Sequence, residues 1–242
     1  MKILILFLLF FLSCKETTCK KKLIFYTDTT FKQKKDSAFV ESFSEIKQKS
    51  FVQIYDRNGD QGDNLFEQGT LNKGIKVGIW KSYFESLDQV ILCEEKIYSQ
   101  EGDLRNFKAY DYDTQKITED KSYLYDHLVG IQKEFYPDGN LHIRYETDDE
   151  GNFINDFIVL AEDGKEIFTS NLGKEGTGHI KYYDKDSHLI WEGFFKNKKK
   201  EGWHHEYVID YEGKKLETID TLYRNGKSIE TRTSQQIGTE KK

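Results

Sequence analysis

Residues 130–145, with the sequence GIQKEFYPDGNLHIRY, contain a complete β-hairpin signal. A short segment that begins at Gly130 ends in the aromatic Phe135, and the sequence PDGN follows at 137–140. Proline and glycine at these places favour a tight turn. The returning segment alternates apolar and polar residues, as a strand does when one of its faces lies against a core. We therefore expect two antiparallel strands in this stretch.

The same pattern recurs along the chain at intervals of about two dozen residues. A glycine with an aromatic residue five positions later occurs four times, at Gly78 with Tyr83, Gly130 with Phe135, Gly178 with Tyr183, and Gly202 with Tyr207. Further units of the same length fit at Ser50, Arg105 and Asn155, which makes seven units in all. Each unit is long enough for two short strands and two turns.

Two stretches carry a resemblance to a known repeat: residues 74–83, GIKVGIWKSY, and residues 194–203, FFKNKKKEGW. In these, the units resemble the MORN-repeat family in its bacterial variant form, over residues 50–230. The pattern departs from the family where Arg105 and Asn155 replace the leading glycine. Hairpins stacked in sequence order predict an all-β fold, an elongated antiparallel meander in a single open, twisted sheet, where each unit buries its aromatic residues against its neighbours.

The N-terminus carries one cation, Lys2, followed by an apolar run that ends at Ser13 and Cys14. This run is shorter than the ~20 residues that a membrane-spanning helix needs, and it has the proportions of a signal peptide. The stretch 11–14 resembles the lipobox of bacterial lipoproteins, which implies that residues 1–13 are removed and that Cys14 receives a diacylglyceryl lipid. An uncleaved anchor and an ordinary secretory signal are the alternatives.

The resemblance to Gram-negative lipoproteins implies an outer-membrane address, because Lys15 rather than Asp follows the lipidated cysteine. The protein would face either the periplasm or the cell surface. We expect residues 14–49 to be a tether, 50–230 the repeat array, and 231–242 a polar tail. Cys93 lies in an apolar run and is expected to be buried, with a Cys19–Cys93 disulfide as the alternative.

One acidic stretch has the spacing of a cation site. Asp56, Asn58 and Asp60 place side-chain oxygens at alternate positions, and Glu67 follows eleven residues after Asp56. This spacing resembles a calcium loop, in which a hard cation takes several oxygens and a bidentate carboxylate. The glycine expected after the third ligand is displaced to Gly62, however. The stretch also coincides with the turn of the first repeat, so a plain turn is the alternative.

The three tryptophans, Trp80, Trp191 and Trp203, occupy repeat positions. They form either part of the core or an exposed row that serves as a binding face. His204 and His205 are adjacent in a predicted strand, and their side chains should point to opposite faces and not share a metal ion. The lysines at 198–200 are expected to lie in a charged turn.

Signatures of the main enzyme classes do not occur in the sequence, including GxSxG, HExxH, the P-loop and the dinucleotide fingerprint. We therefore expect no catalytic activity and no cofactor. The formal net charge of −6 argues against nucleic acid as a partner, because phosphate binding needs clustered cations. The leading expectation is a lipid-anchored envelope protein that presents an extended β surface to a protein partner.

Two other functions remain open at this stage. Bacterial proteins with MORN-like repeats are often labelled as antitoxins, and the resemblance therefore implies an antitoxin or immunity-type protein that neutralises a toxin. A signal for export argues against a cytoplasmic antitoxin but not against an immunity protein of the envelope. A glycan-binding surface lipoprotein is the third alternative, and it would depend on exposed tryptophans.

Overall fold

The computed structural model describes residues 21–57, 63–86, 89–210 and 212–235, and these form eighteen strands and one short 3₁₀ helix, Phe43–Glu45. The strands up to the middle of the chain are β1 (Lys21–Tyr26), β2 (Lys34–Val40), β3 (Ser50–Arg57), β4 (Asp63–Asn72), β5 (Ile75–Ser86), β6 (Gln89–Tyr98), β7 (Leu104–Tyr110), β8 (Ile117–Leu124) and β9 (His127–Leu128). The later strands are β10 (Gly130–Phe135), β11 (Leu141–Thr147), β12 (Phe153–Leu160), β13 (Glu166–Asn171), β14 (Gly178–Tyr183), β15 (Leu189–Lys196), β16 (Lys199–Ile209), β17 (Lys215–Arg224) and β18 (Lys227–Gln235).

All strand pairs are antiparallel, which confirms the predicted open all-β meander. The hydrogen bonding is divided between two sheets, however, and does not run through a single one. A thirteen-stranded sheet has the order β13-β12-β11-β10-β8-β7-β6-β5-β4-β3-β1-β2, with β9 paired only to β8. A five-stranded sheet has the order β14-β15-β16-β17-β18. We call them the large sheet and the small sheet.

The division between the sheets falls at the bend between β13 and β14. Gly173 and Gly176 in this bend have φ of +59°, a conformation that glycine adopts without steric cost. The chain there leaves the large sheet, and the small sheet packs against it. Ile143 and Phe157 of the large sheet and Ile180 and Phe195 of the small sheet share one buried core.

An ion pair between two turns joins the sheets a second time. Asp148, in the turn after β11, lies 3.0 Å from Nζ of Lys198, in the turn before β16. Burial alone would raise the pKa of Asp148, but hydrogen bonds from Asn152 and Lys198 outweigh burial and lower the pKa to about 2. Lys198 lies in the predicted charged turn, whereas Lys199 and Lys200 already belong to β16.

The predicted tether is wrong for residues 21–49, because this segment contains β1 and β2 of the large sheet and the 3₁₀ helix. β1 lies between β2 and β3, and Leu23 pairs with Ile54. Leu23 is fully buried and Val40 nearly so, because both complete the core that covers the first strands. Residues 23–26 form most of β1. The predicted tail at 231–242 is likewise too long, since β18 continues to Gln235.

Both cores lie on the same face of the large sheet, which we call the inner face. Residues directly opposite one another in paired strands share a face. One unbroken row of such pairs leads from the first core to the second: Ile54, Glu67, Ser82, Glu94, Ala109, Glu119, Glu134, Ile143 and Val159. Ile54 and Ile143 are buried at the two ends of this row.

The repeat has a buried position two residues after the start of the unit in all but the unit that starts at Arg105. Side chains at this position are at most 3% exposed in six of the seven units: Val52, Trp80, Gln132, Phe157, Ile180 and His204. Gly78, Gly130 and Gly202 have positive φ, and Asn155 adopts the same conformation at φ 53°. The units that start at Gly78, Asn155 and Gly202 carry a β-bulge at that point, which turns the next side chains toward the core.

A second glycine makes room for the buried side chain in two of the units. A Cβ atom on Gly69 would lie 2.3 Å from Cδ2 of Trp80, and a Cβ on Gly193 would lie 2.1 Å from Nδ1 of His204. The ring therefore packs flat on the backbone of the neighbouring strand. Nε1 of Trp80 also donates a hydrogen bond to the carbonyl of Thr70 at 3.0 Å. These glycines are required by close approach rather than by backbone conformation.

Gly69→Ala should therefore lower the free energy of unfolding by about 1–3 kcal/mol, because the added methyl group overpacks the site. Urea unfolding monitored by far-UV circular dichroism measures the loss. The Trp80→Ala variant alone should cost about 3–5 kcal/mol. The double variant should cost less than the sum of both single changes, since the clashing ring is gone. Strictly additive costs would contradict this packing.

Candidate functional site

The middle of the large sheet is a single layer with both faces open to solvent. Every residue of β6, β7 and β8 is at least partly exposed, whereas the strands on either side contain fully buried side chains. The first core ends at Trp80 on β5, and the second begins at Gln132 and Ile143 on β10 and β11. The three strands between them offer extended, ordered surface.

The inner face of this single layer carries a strip of charged and aromatic side chains. We define the central strip as Glu94 and Lys96 on β6, Phe107 on β7, and Glu119 and Lys121 on β8. Nζ of Lys96 lies 2.6 Å from Glu94 and stands over the ring of Phe107, 5.5 Å from its centroid. The strip is thus an acidic row next to a basic row.

Lys121 links the central strip to the small sheet. Its Nζ lies 2.7 Å from Glu119 and 3.2 Å from Glu134. The hydroxyl of Tyr182 on β14 donates a hydrogen bond to Glu134 at 2.5 Å. Burial alone would lower the pKa of Lys121, but the two carboxylates outweigh it and raise the pKa above its ordinary value. Burial and the charge of Glu134 also raise the pKa of Tyr182, so both groups stay protonated at neutral pH.

An ion pair borders the opposite side of the strip. Nζ of Lys76 lies 2.7 Å from Glu67 and 4.4 Å above the ring of Trp80. The carboxylate of Glu67 is nearly buried, and Ser82 also contacts it. Charged groups therefore follow the inner face continuously from one core to the other.

The outer face carries an alternating ladder of charges across the same strands. Directly paired residues run from Lys81 through Glu95, Lys108 and Asp120 to Lys133. Nζ of Lys81 lies 3.7 Å from Glu95. Opposite charges on neighbouring strands stabilise a sheet, and like charges in these places would destabilise it. This arrangement of complementary neighbours compensates in part for the missing apolar layer.

Two of the predicted calcium ligands, Asn58 and Asp60, lie outside the described residues, as does the lipidation candidate Cys14. Asp56 belongs to β3, where its backbone pairs with Asn64. Glu67 belongs to β4, and its carboxylate is already held by Lys76.

The three tryptophans do not form one exposed row. Trp80 is only 2% exposed, so its assignment to a binding face is wrong and the core interpretation is confirmed. Trp191 is half-buried at the margin of the second core, beneath Nζ of Lys200. Trp203 is half-buried on the opposite face of the small sheet, with the guanidinium of Arg232 above its ring.

The two adjacent histidines point to opposite faces, as expected. His204 packs on Gly193, and its Nε2 donates to the carbonyl of Phe194 at 3.0 Å. Burial lowers its pKa to about 4, so it is neutral at physiological pH. Nδ1 of His205 lies 2.6 Å from Asp220 on the other face.

The sequence did not indicate one cluster of two acidic residues and a histidine. In the turn after β14, potential ligand atoms of Asp184, Asp186 and His188 lie within 4.8 Å of one another. Asp184 already accepts hydrogen bonds from the backbone of Asp186 and His188, which fixes the turn. Cys93 is a free thiol that is half-buried rather than buried, and burial raises its pKa. Cys19 lies outside the described residues.

Lys121→Met should lower the free energy of unfolding by about 1–3 kcal/mol, between the values for exposed and fully buried pairs. The change leaves Glu119 and Glu134 facing each other without a cation. Lys165→Met is the matched control, since its 2.6 Å pair with Asp163 is exposed and should contribute nothing measurable. Urea unfolding at neutral pH compares the two variants. Equal effects would show that burial does not decide the strength of these pairs.

No helix among the described residues is long and apolar enough to cross a membrane. The chain matches no family model, and no curated protein matches it. Among solved structures, it is similar to a porin-like protein from Bacteroides uniformis, with 9% identity over 89% of this chain and 94% of the other. The TM-score of that alignment is 0.19, which is too low to support an argument about function.

Proposed function

We propose that this protein is a noncatalytic, lipid-anchored repeat protein of the cell envelope, and that it binds a protein partner through the inner face of β6, β7 and β8. The observation that supports this best is the single-layer middle of the large sheet. Three adjacent strands there contain no buried side chain, although covered strands flank them on both sides. A surface of this kind is ordered before it binds and therefore costs little entropy on binding.

The chemistry of the central strip indicates the kind of partner that would bind there. The side chains of Glu94, Lys96, Glu119 and Lys121 are partly desolvated and mutually paired, so the strip has no strong net charge. A strand or loop with both signs of charge would match its two rows. Phe107 lies among these charges and supplies an aromatic contact of the type that dominates protein interfaces. This chemistry favours a protein over a nucleic acid.

The lipid at Cys14 would hold the proposed binding surface near the membrane. The large sheet begins at Lys21, so only residues 15–20 separate Cys14 from the first strand. Six residues span at most about 20 Å when fully extended. The folded array would therefore lie close to the headgroups of the outer membrane, facing the periplasm or the cell surface.

Site-specific photo-crosslinking in cells tests the proposal. The photoreactive residue p-benzoylphenylalanine replaces either Phe107, on the inner face, or Lys108, on the outer face of the same strand. We expect a discrete crosslinked protein from position 107 and none from position 108. The crosslink should be lost when Cys14→Ala removes the lipid attachment site, because the partner is in the envelope.

Equal crosslinking from both positions, or none from either, would contradict the proposed surface. A crosslink that persists in the Cys14→Ala variant would contradict the role of the lipid. Retention of the protein on a glycan resin without any protein crosslink would favour the glycan-binding alternative. A toxin as the crosslinked protein would assign the surface to the immunity-type alternative.

A further inference from the structure

Strand β18 is one of the two edge strands of the small sheet. It pairs with β17 on one side, and all nine of its residues are exposed, including Ile229 at 55%. Along such an edge, alternate backbone N–H and C=O groups point away from the sheet and can accept a further strand. Within the described chain, no other strand pairs with this edge.

A row of alternating basic and acidic side chains crosses the small sheet and ends at β18. Directly paired residues run from Lys181 through Glu192, His205 and Asp220 to Arg232. Nζ of Lys181 lies 3.1 Å from Glu192, and Nδ1 of His205 lies 2.6 Å from Asp220. The row repeats the alternation on the outer face of the large sheet. By that pattern, the position that follows Arg232 on a sixth strand calls for an acidic residue.

We propose that two copies of the chain associate by antiparallel pairing of β18 with β18, about a two-fold axis at Thr231. In this register Glu230 lies opposite Arg232 of the second copy, and the symmetry produces this pair twice. Thr231 faces its own counterpart. Glu230 thus supplies the acid that the row requires, and the sequence of β18 is complementary to itself.

The side chains at this edge are already arranged for the contact. Nε of Arg232 lies 2.6 Å from Glu230 of the same strand, and its guanidinium stands 4.9 Å from the ring centroid of Trp203. Both charges therefore point to the same face of the sheet, where the second copy would present the same pair in reverse order. A planar guanidinium can bind two carboxylates and an aromatic ring at once.

The edge strand β2 of the large sheet lacks this complementarity. Strand β2 is one of the two edges of that sheet, and its midpoint is Ser37. Two-fold pairing about Ser37 would set Asp36 opposite Ala38 and Lys35 opposite the exposed Phe39. Neither charge would find a partner. The two-fold contact at β18 is also closed, because each copy uses its own β18 and the contact leaves no β18 edge for a third chain.

Charge-reversal variants test the contact through the mass of the full chain in detergent, measured by sedimentation equilibrium. Glu230→Arg and Arg232→Glu each place like charges across the axis and should weaken dimerisation by at least about tenfold. An equimolar mixture of the two single variants should dimerise again, since an all-basic edge then meets an all-acidic one. Loss of a contact within one chain could not be restored by mixing.

Disulfide trapping tests the register independently. In a background with Cys19→Ala and Cys93→Ala, Thr231→Cys should form an intermolecular disulfide on mild oxidation. The matched control is Ser228→Cys, whose two copies would be about 20 Å apart and should not crosslink. A wild-type chain that stays monomeric, a dimer that both charge variants leave unchanged, or a mixture that does not reassociate would each overturn the proposal.

Discussion

The structure depends on cross-strand pairing in a part of the sheet that no apolar layer covers within the described residues. A β-sheet is normally stabilised by burying at least one face, yet the faces of β6, β7 and β8 both reach solvent. The interactions that stabilise these strands are the backbone hydrogen bonds, the contacts of the aliphatic parts of long side chains, and the charges at the ends of those side chains. On the outer face, lysines alternate with acids across the strands, and on the inner face each of Lys96 and Lys121 meets a carboxylate within 2.7 Å.

This constraint connects the two halves of the molecule. The first core surrounds Trp80 and the second surrounds Phe157, and both lie on the inner face. The row of directly paired residues continues from one core to the other, so each core anchors one end of the uncovered layer. Lys76 with Glu67 borders the layer on one side, and Tyr182 with Glu134 borders it on the other. The surface that we propose for partner binding is therefore fixed at both ends by packing.

Local signals in the sequence predicted the hairpins and turns well. The PDGN turn, the charged turn at Lys198 and the opposite orientation of His204 and His205 follow from short-range geometry, and the structure agrees with them.

The sequence did not reveal the buried position of the repeat, because the residue type at that position varies from tryptophan to glutamine. Gln132 is tolerated there since its amide donates to the carbonyl of Val129 and its oxygen accepts from the backbone of Ser122. The regular signal in the sequence is the aromatic residue five positions after the start of a unit, although its side chain is only half-buried. The inclusion of residues 21–49 and the division into two sheets depend on long-range packing, which the spacing of residues does not encode.

We infer that β6, β7 and β8 form a stable single layer held largely by charge pairs. Residue-resolved amide hydrogen exchange of the native protein at low and high ionic strength tests this most directly. We expect protected amides in all three strands at low salt. Protection there should fall several-fold at high salt, while the strands under the two cores change little, because salt screens exposed charges more than it affects apolar packing. Absence of protection in the three strands at low salt, or protection that salt does not alter, would contradict the claim.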